Sequence, residues 1–268
     1  MSDHLFSLRR NRFALAGIFL FSIVLAVWFS LTPEGLLGKA DAIGYAVCHR
    51  ISARSFFLGE RQLPLCARCS GMYLGAFTGF IFHIYKGRKG GLPPRKILLS
   101  LGFLLILFGI DGVNSYLHLF PNFPSVYEPN NVLRVITGTG VGIGMAAMLM
   151  PIVHQSLWVD WNTTPAISGW RDFLVLLVSA YCLSALMLTD NPLILYPLAL
   201  ISSSTVIFIL GLIYTIIWIM LFKKENAFTR WFEVIGYLGL GFGLAVFQIL
   251  AIDLFRLVLT GSWNGFNF

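Results

Sequence analysis

Seven times along this chain a run of about twenty apolar residues ends at a breaker or a charged cluster, and this recurrence limits the fold more than any motif does. A helix of that length crosses roughly 30 Å of hydrocarbon, and a soluble core could not hide so much apolar surface. The runs lie near 13–32, 64–85, 96–119, 131–156, 172–190, 198–222 and 231–258. The chain is 57% hydrophobic and 12% charged, without the alternation of a membrane barrel. It therefore reads as an all-α polytopic transmembrane bundle, about seven helices in a single membrane domain. The first run follows "RRNR" and continues into "WFSLTPEG" without a small-residue cleavage site, so it is read as a retained helix. Residues 33–63 form a long connection in which "EGLLGKADAIGYAVCHRI" looks like a short amphipathic or re-entrant helix. The prolines of "NPLILYP" point to a broken start for the sixth helix.

The net charge of +7 sits at the ends of the apolar runs and is not interleaved with aromatics. It is a topology signal, and nucleic acid is not an expected partner. With the amino terminus in the cytoplasm, Arg9, Arg10, Arg12, Lys86, Arg88, Lys89, Arg95, Lys96, Arg171, Lys223, Lys224 and Arg230 lie inside. Only Lys39, Arg50, Arg54, Arg61, Arg68, Arg134 and Arg256 lie outside. That bias sets an N-in, C-out orientation, expected in a bacterial plasma (inner) membrane. Trp28, Trp158 and Trp170 are expected as interfacial anchors.

The orientation turns "CHRISARSFFLGERQLPLCARCSG", residues 48–71, outward. It holds three of the four cysteines and four arginines. Cys66 and Cys69 make a C-x-x-C at a helix start, where the dipole favours thiolate. Three thiolates and one imidazole suit zinc. His49 is one choice for the fourth ligand; His118, at the outer end of the third helix, is the other. A disulfide among the three cysteines is the plainer alternative in an oxidising compartment, although it leaves one thiol over. Thiol redox chemistry of the quinone-linked kind is the third. The fourth cysteine, Cys182, falls mid-helix, where packing is its expected role.

Polar residues converge at the same level. Asp111, Asn114 and His118 share one helix face; Asn131, Arg134 and Gly138 share another. Asp111 and Arg134 are expected to pair, either to fix packing or as catalytic groups. Arg50, Arg54 and Arg68, with Asn114 and Asn131, would bind an anionic group at headgroup depth. Gly71, Gly75 and Gly79, and Gly138, Gly142, Gly140 and Gly144, form small-residue stripes that let helices approach in lipid. His83 and His154 lie near the inner ends and stay out of this site.

The runs "CHR", "RSF", "PLCARCSGMYLG", "DGVNS" and "NNVLRVITG" resemble a bacterial membrane family known as domain of unknown function 2085. The similarity covers about Ala42 to Gly144, the motif-bearing helices within 64–156; helices 172–258 carry no assignable motif. The resemblance implies which residues matter and carries no reaction with it. The expected function is an outward Cys/His metal site, with zinc as cofactor, beside an Arg/Asp/Asn pocket for a membrane lipid with an anionic or phosphorylated headgroup. The alternatives are a quinone-linked thiol-disulfide oxidoreductase and a non-catalytic subunit or assembly factor.

Overall fold

The computed structural model describes residues 2–118, 120, 126–189 and 191–263, with side-chain surroundings from residue 13 onward. Among them, eight α-helices dominate. In chain order the elements are α1 (Ser2–Leu31), α2 (Gly35–Val47), a 3-10 turn (Ser52–Arg54), β1 (Ser55–Leu58), β2 (Arg61–Cys66), α3 (Ala67–Lys86), β3 (Lys89–Gly91) and α4 (Arg95–Leu117). Then follow α5 (Asn131–Leu157), β4 (Asn162–Pro165), α6 (Trp170–Ala185), a second 3-10 turn (Leu186–Leu188), α7 (Pro192–Leu221) and α8 (Trp231–Thr260).

The helices are apolar on their outer faces as well as in the core, and the few polar residues they carry within the span are turned inward. Along α4, Leu99, Phe103, Ile106, Ile110 and Val113 are exposed, while Asp111, Asn114 and Ser115 are buried. Lipid tolerates the first set; the second must find partners within the protein. Six helices are long and apolar enough to cross a membrane by length and composition: α1, α4, α5, α6 with its 3-10 extension, α7 and α8. The seventh long helix, α3, falls short in hydropathy because it lies in the middle, against α5, α6 and α7. Its inward residues are Ser70, Gly71, Gly75, Ala76 and Gly79, small enough for neighbouring backbones to close on it. Its twenty residues still reach about 30 Å.

α3 and α5 run parallel and interlock. A methyl group at Gly71 or Gly75 would collide with the carbonyl of Val135 or Thr139, and one at Gly138 or Gly142 with the carbonyl of Arg68 or Met72. Gly144 meets nothing within 4 Å, so the expected Gly140–Gly144 stripe is not a contact of this kind.

The connection before α3 departs from expectation. The short helix in 33–63 is present as α2, but β1 and β2 form an antiparallel hairpin turning at Gly59, whose φ is +61°. That pairing holds residues 61–66 extended, so the helix expected from residue 64 starts at Ala67. Conversely, the prolines before residue 198 do not break α7. Pro192 occupies its first turn, where its missing N–H is harmless, and the Asn191 side chain accepts from the Leu193 N–H at 3.0 Å. At the opposite end β3 and β4 pair in parallel, an element the apolar runs give no sign of. Trp28 (3% exposed) and Trp158 (0%) are core residues and not interfacial anchors; Trp170 is exposed as expected. Cys182 is exposed on α6 and packs in no core cluster.

Candidate functional site

The hairpin delivers the cysteines. Cys48 ends α2, its N–H closing the last turn on the Gly44 carbonyl at 2.8 Å. Cys66 ends β2 and is the N-cap of α3; Cys69 lies in the first turn of that helix. The Cys66 N–H donates to the Cys48 sulfur at 3.3 Å. All three Sγ atoms lie within 4.8 Å of one another. Their surroundings are apolar: Trp28, Ile43, Leu65, Val206, Val246 and Ile249 form the buried cluster that holds them. The Arg256 guanidinium donates to the Cys48 carbonyl at 3.0 Å, tying α8 to the site.

The three thiols are unequal. The Cys66 thiol is held well below its ordinary range, first by the Cys48 and then by the Cys69 thiol donating to its sulfur, with the Cys69 N–H and Arg68 adding to the effect. Cys48, which gives that hydrogen bond, is pushed up to about 12, burial adding to the same direction. Within the cluster the Cys66 thiol is therefore the most acidic of the three.

Both expected imidazoles stand apart. His49 follows Cys48 in extended chain, is exposed, and is not within reach of the three sulfurs. His118, exposed at the end of α4, is also outside the group. Neither supplies a fourth ligand in this arrangement.

Next to the thiols lies a buried polar cluster, and its central ion pair differs from the expected one. Asp111 (2% exposed) pairs with Arg68 on α3, and not with Arg134. The Arg68 fork reaches the Asp111 carboxylate through Nε (3.1 Å) and Nη2, and Nη2 also meets the Asp111 carbonyl and Ser115 Oγ, each at 3.1 Å. Sequence spacing favoured Arg134 because both lie at helix ends. The parallel contact of α3 with α5 brings Arg68 there instead. The other Asp111 oxygen accepts from the Tyr127 hydroxyl at 2.8 Å. Burial, followed by that hydrogen bond, raises Tyr127 to about 12, which keeps it a donor.

The other expected residues divide into two groups. Arg54 donates to the Ser115 carbonyl at 2.5 Å, and Arg134 donates to Asn131 Oδ1 at 2.8 Å; both belong to this cluster. Asn114 is occupied structurally: its side chain accepts from the Val126 N–H (2.7 Å) and donates to the Tyr127 carbonyl (2.9 Å), so it pins the loop that brings Tyr127 in. Arg50 faces away from the pocket. It pairs with Asp41 on α2 at 2.9 Å, a carboxylate that also holds Arg61 at 2.6 Å. Its backbone φ of +53° reverses the chain just after Cys48. Ser115 and Tyr127 were missed by sequence reasoning. Ser115 shares a helix face with Asp111 one turn on; Tyr127 sits in a loop where no periodicity marks it.

Comparison with known proteins locates the same region. The model of the predicted membrane protein family DUF2085 matches residues 48–148, from Cys48 to the middle of α5. An uncharacterized protein of Methanothermobacter thermautotrophicus is 35% identical over 113 residues, covering 42% of this chain and 93% of that protein. An uncharacterized protein of Methanocaldococcus jannaschii is 28% identical over 148 residues, covering 53% of this chain and 89% of the relative. Both relatives are archaeal, so the similarity extends beyond bacteria. No solved structure matches. The family model thus falls on the part of this chain that carries the thiols and the buried Arg–Asp cluster, nearly the whole length of an archaeal relative aligns with this chain, and the chain belongs to the DUF2085 family of predicted membrane proteins.

Proposed function

We propose that this multi-pass membrane protein holds a thiophilic metal ion, zinc first among the choices, through Cys48, Cys66 and Cys69 on the outward face of a plasma membrane. One observation carries the reading: three sulfurs from three elements within 4.8 Å of one another in an apolar shell. Ligand distances near 2.3 Å in a tetrahedral site set neighbouring sulfurs about 3.8 Å apart, within that span. The residue types fit as well, since soft thiolates select zinc or copper(I) over hard cations. With both histidines apart, three protein ligands would leave one position for water or a substrate group. Bound there, the metal would supply Lewis-acid chemistry. The protein's own part is to hold the thiolates, exclude water around them and keep Arg68 beside Cys66.

The test is elemental analysis of protein purified without chelator. About one zinc per chain is expected, lost in Cys66→Ser and Cys69→Ser and retained in His49→Ala and His118→Ala. Metal loss on acidification is expected too, because protons compete for thiolate. A second reading has one specific support: Cys66, held well below its ordinary range by two neighbouring thiols at the start of a helix, is placed as in a thiol-exchange centre. Protein without stoichiometric metal, carrying a Cys66–Cys69 or Cys48-linked disulfide by mass mapping, would overturn the metal reading. Quinone-linked thiol oxidation would then take its place.

A further inference from the structure

The thiols do not account for the charges beside them. Arg54 comes from the 3-10 turn, Arg68 from the first turn of α3 and Arg134 from the first turn of α5. Each lies within electrostatic reach of the other two and of Cys66. Among the described residues a single carboxylate, Asp111, reaches all three, and it accepts hydrogen bonds from Arg68, Tyr127 and Thr137. Glu128, in the same loop as Tyr127, is exposed and makes no ion pair among the described residues.

Among the described residues the two remaining cations hydrogen-bond only to neutral partners. Arg54 donates to a carbonyl and Arg134 to an amide oxygen. Such groups orient a guanidinium without neutralising it. Arg134 is 5% exposed, and its Nε is buried with no acceptor among the described residues. With Cys66 counted as thiolate, three cations still face two anions. Arg134 is out of water and Arg54 half-buried, and like charges so placed are unfavourable unless a counter-charge joins them. The guanidinium fork matches the oxygens of a tetrahedral oxyanion in a way that an ammonium does not.

We infer that Arg54 and Arg134 are the recognition pair for a phosphate oxyanion, brought either by a lipid headgroup or as free phosphate, with the Arg68–Asp111 pair holding both arginines in place. This assignment goes beyond the metal reading and does not rest on it, since the surplus charge is counted with the thiolate already present. It also narrows the expected binding set. Arg50 has its own carboxylate, Arg68 is committed to Asp111, and Asn114 to the loop, whereas Arg54 and Arg134 each have capacity left.

The test uses the full chain in neutral detergent and in phosphatidylcholine nanodiscs. Inorganic phosphate is titrated at constant ionic strength against chloride, and phosphatidic acid is added to the nanodiscs in a parallel arm; thermal unfolding is the readout. A saturable rise in Tm is expected in at least one arm. A response to phosphatidic acid alone identifies a headgroup; a response to both shows that the phosphate group suffices. Arg54→Gln should weaken the response at least tenfold and should not lower the Tm of anion-free protein, because it removes an uncompensated charge. A merely structural arginine would lower it. Arg54→Lys, which keeps the charge and loses the fork, should fall between. No saturable shift in either arm, or an Arg54→Gln response equal to the wild type, overturns the inference. Zinc assayed on the same samples separates this failure from that of the metal centre.

Discussion

Two pairs of parallel helices in this molecule use the same packing device and end very differently. α3 and α5 interlock through Gly71, Gly75, Gly138 and Gly142; α1 and α8 do so through Gly17, Gly236 and Gly239, where an added methyl would strike the facing backbone. At the cysteine end of the first pair, the buried carboxylate of Asp111 receives a guanidinium and a phenol. Toward the same end of the second, Asp253 on α8 is fully buried and faces the Trp28 indole of α1, with no guanidinium or phenol of a described residue hydrogen-bonded to either oxygen. Small residues bring helices together in lipid whatever lies at their ends. Chemistry is added by the loops: the 3-10 turn before the hairpin brings Arg54, and the loop pinned by Asn114 brings Tyr127, to the polar end of the first pair, whereas the second pair lines the thiols with apolar side chains.

The largest effect should come from breaking the polar end of the first pair. Asp111→Asn leaves the half-buried Arg68 without its counter-charge, a loss of up to about 3–5 kcal/mol. The double variant Asp111→Asn/Arg68→Gln should recover much of it, and denaturant unfolding in detergent micelles reads both. Additive losses would mean that the pair is not the unit described. Pairing Asp111→Asn with Arg134→Gln should give less recovery, which distinguishes the observed partner from the one spacing suggested.

Next come the glycines. Gly142→Leu should separate α3 from α5 and cost about 1–3 kcal/mol, as overpacking does. Because Arg68 and Cys69 sit on the displaced helix, zinc content should fall with it. Gly239→Leu should carry a similar stability cost while more zinc is retained, since α8 carries no thiol and Gly239 lies about two turns along it from Val246, which lines them. Equal loss of zinc in both variants would remove the distinction between the two pairs.

These contrasts also show what the sequence could and could not reveal. Apolar runs separated by breakers determine the number and extent of long helices, because lipid admits few alternatives for a backbone that must satisfy itself. Only α3 was ambiguous on hydropathy, and its glycine spacing compensated. The thiols were legible as a group because C-x-x-C and a third cysteine are rare in so apolar a chain. Partner choice was not legible. Arg68 and Arg134 lie at similar depth by spacing, and what selects between them is the rotation of α3 on α5. The hairpin 55–66 escaped because Pro64 and Leu65 continue the apolar run of α3, so hydropathy alone could not say where extended chain stops.

A smaller effect is expected at the thiols. Cys66 is held below its ordinary value near 9.0, so its thiolate contributes stability that is fully present above that value and is lost as pH falls through the depressed one. Cys48, raised to about 12, has the opposite sign: its contribution is full below pH 9.0 and is lost as pH rises toward 12. At pH 7, in metal-free protein, one thiol of the three should therefore alkylate well ahead of the others, and peptide mapping should identify Cys66. Three equal rates, each rising together near pH 9, would mean that the neighbours do not polarise it.

The smallest effect tests the second pair. Asp253→Asn exchanges a buried carboxyl for an amide of nearly the same shape, at a site whose polar neighbours among the described residues are the Trp28 indole and Arg256. Removing one member of a buried ion pair is costly, whereas an amide oxygen can still accept from an indole N–H, so this exchange can be close to neutral. The expected change in unfolding free energy is within about 1 kcal/mol, far below that for the same substitution at Asp111. Equal burial makes this a controlled comparison, since both carboxylates are at most 2% exposed. A loss at Asp253 as large as that at Asp111 would show that burial alone sets the cost, and that the partners around Asp111 add nothing particular to the α3–α5 pair.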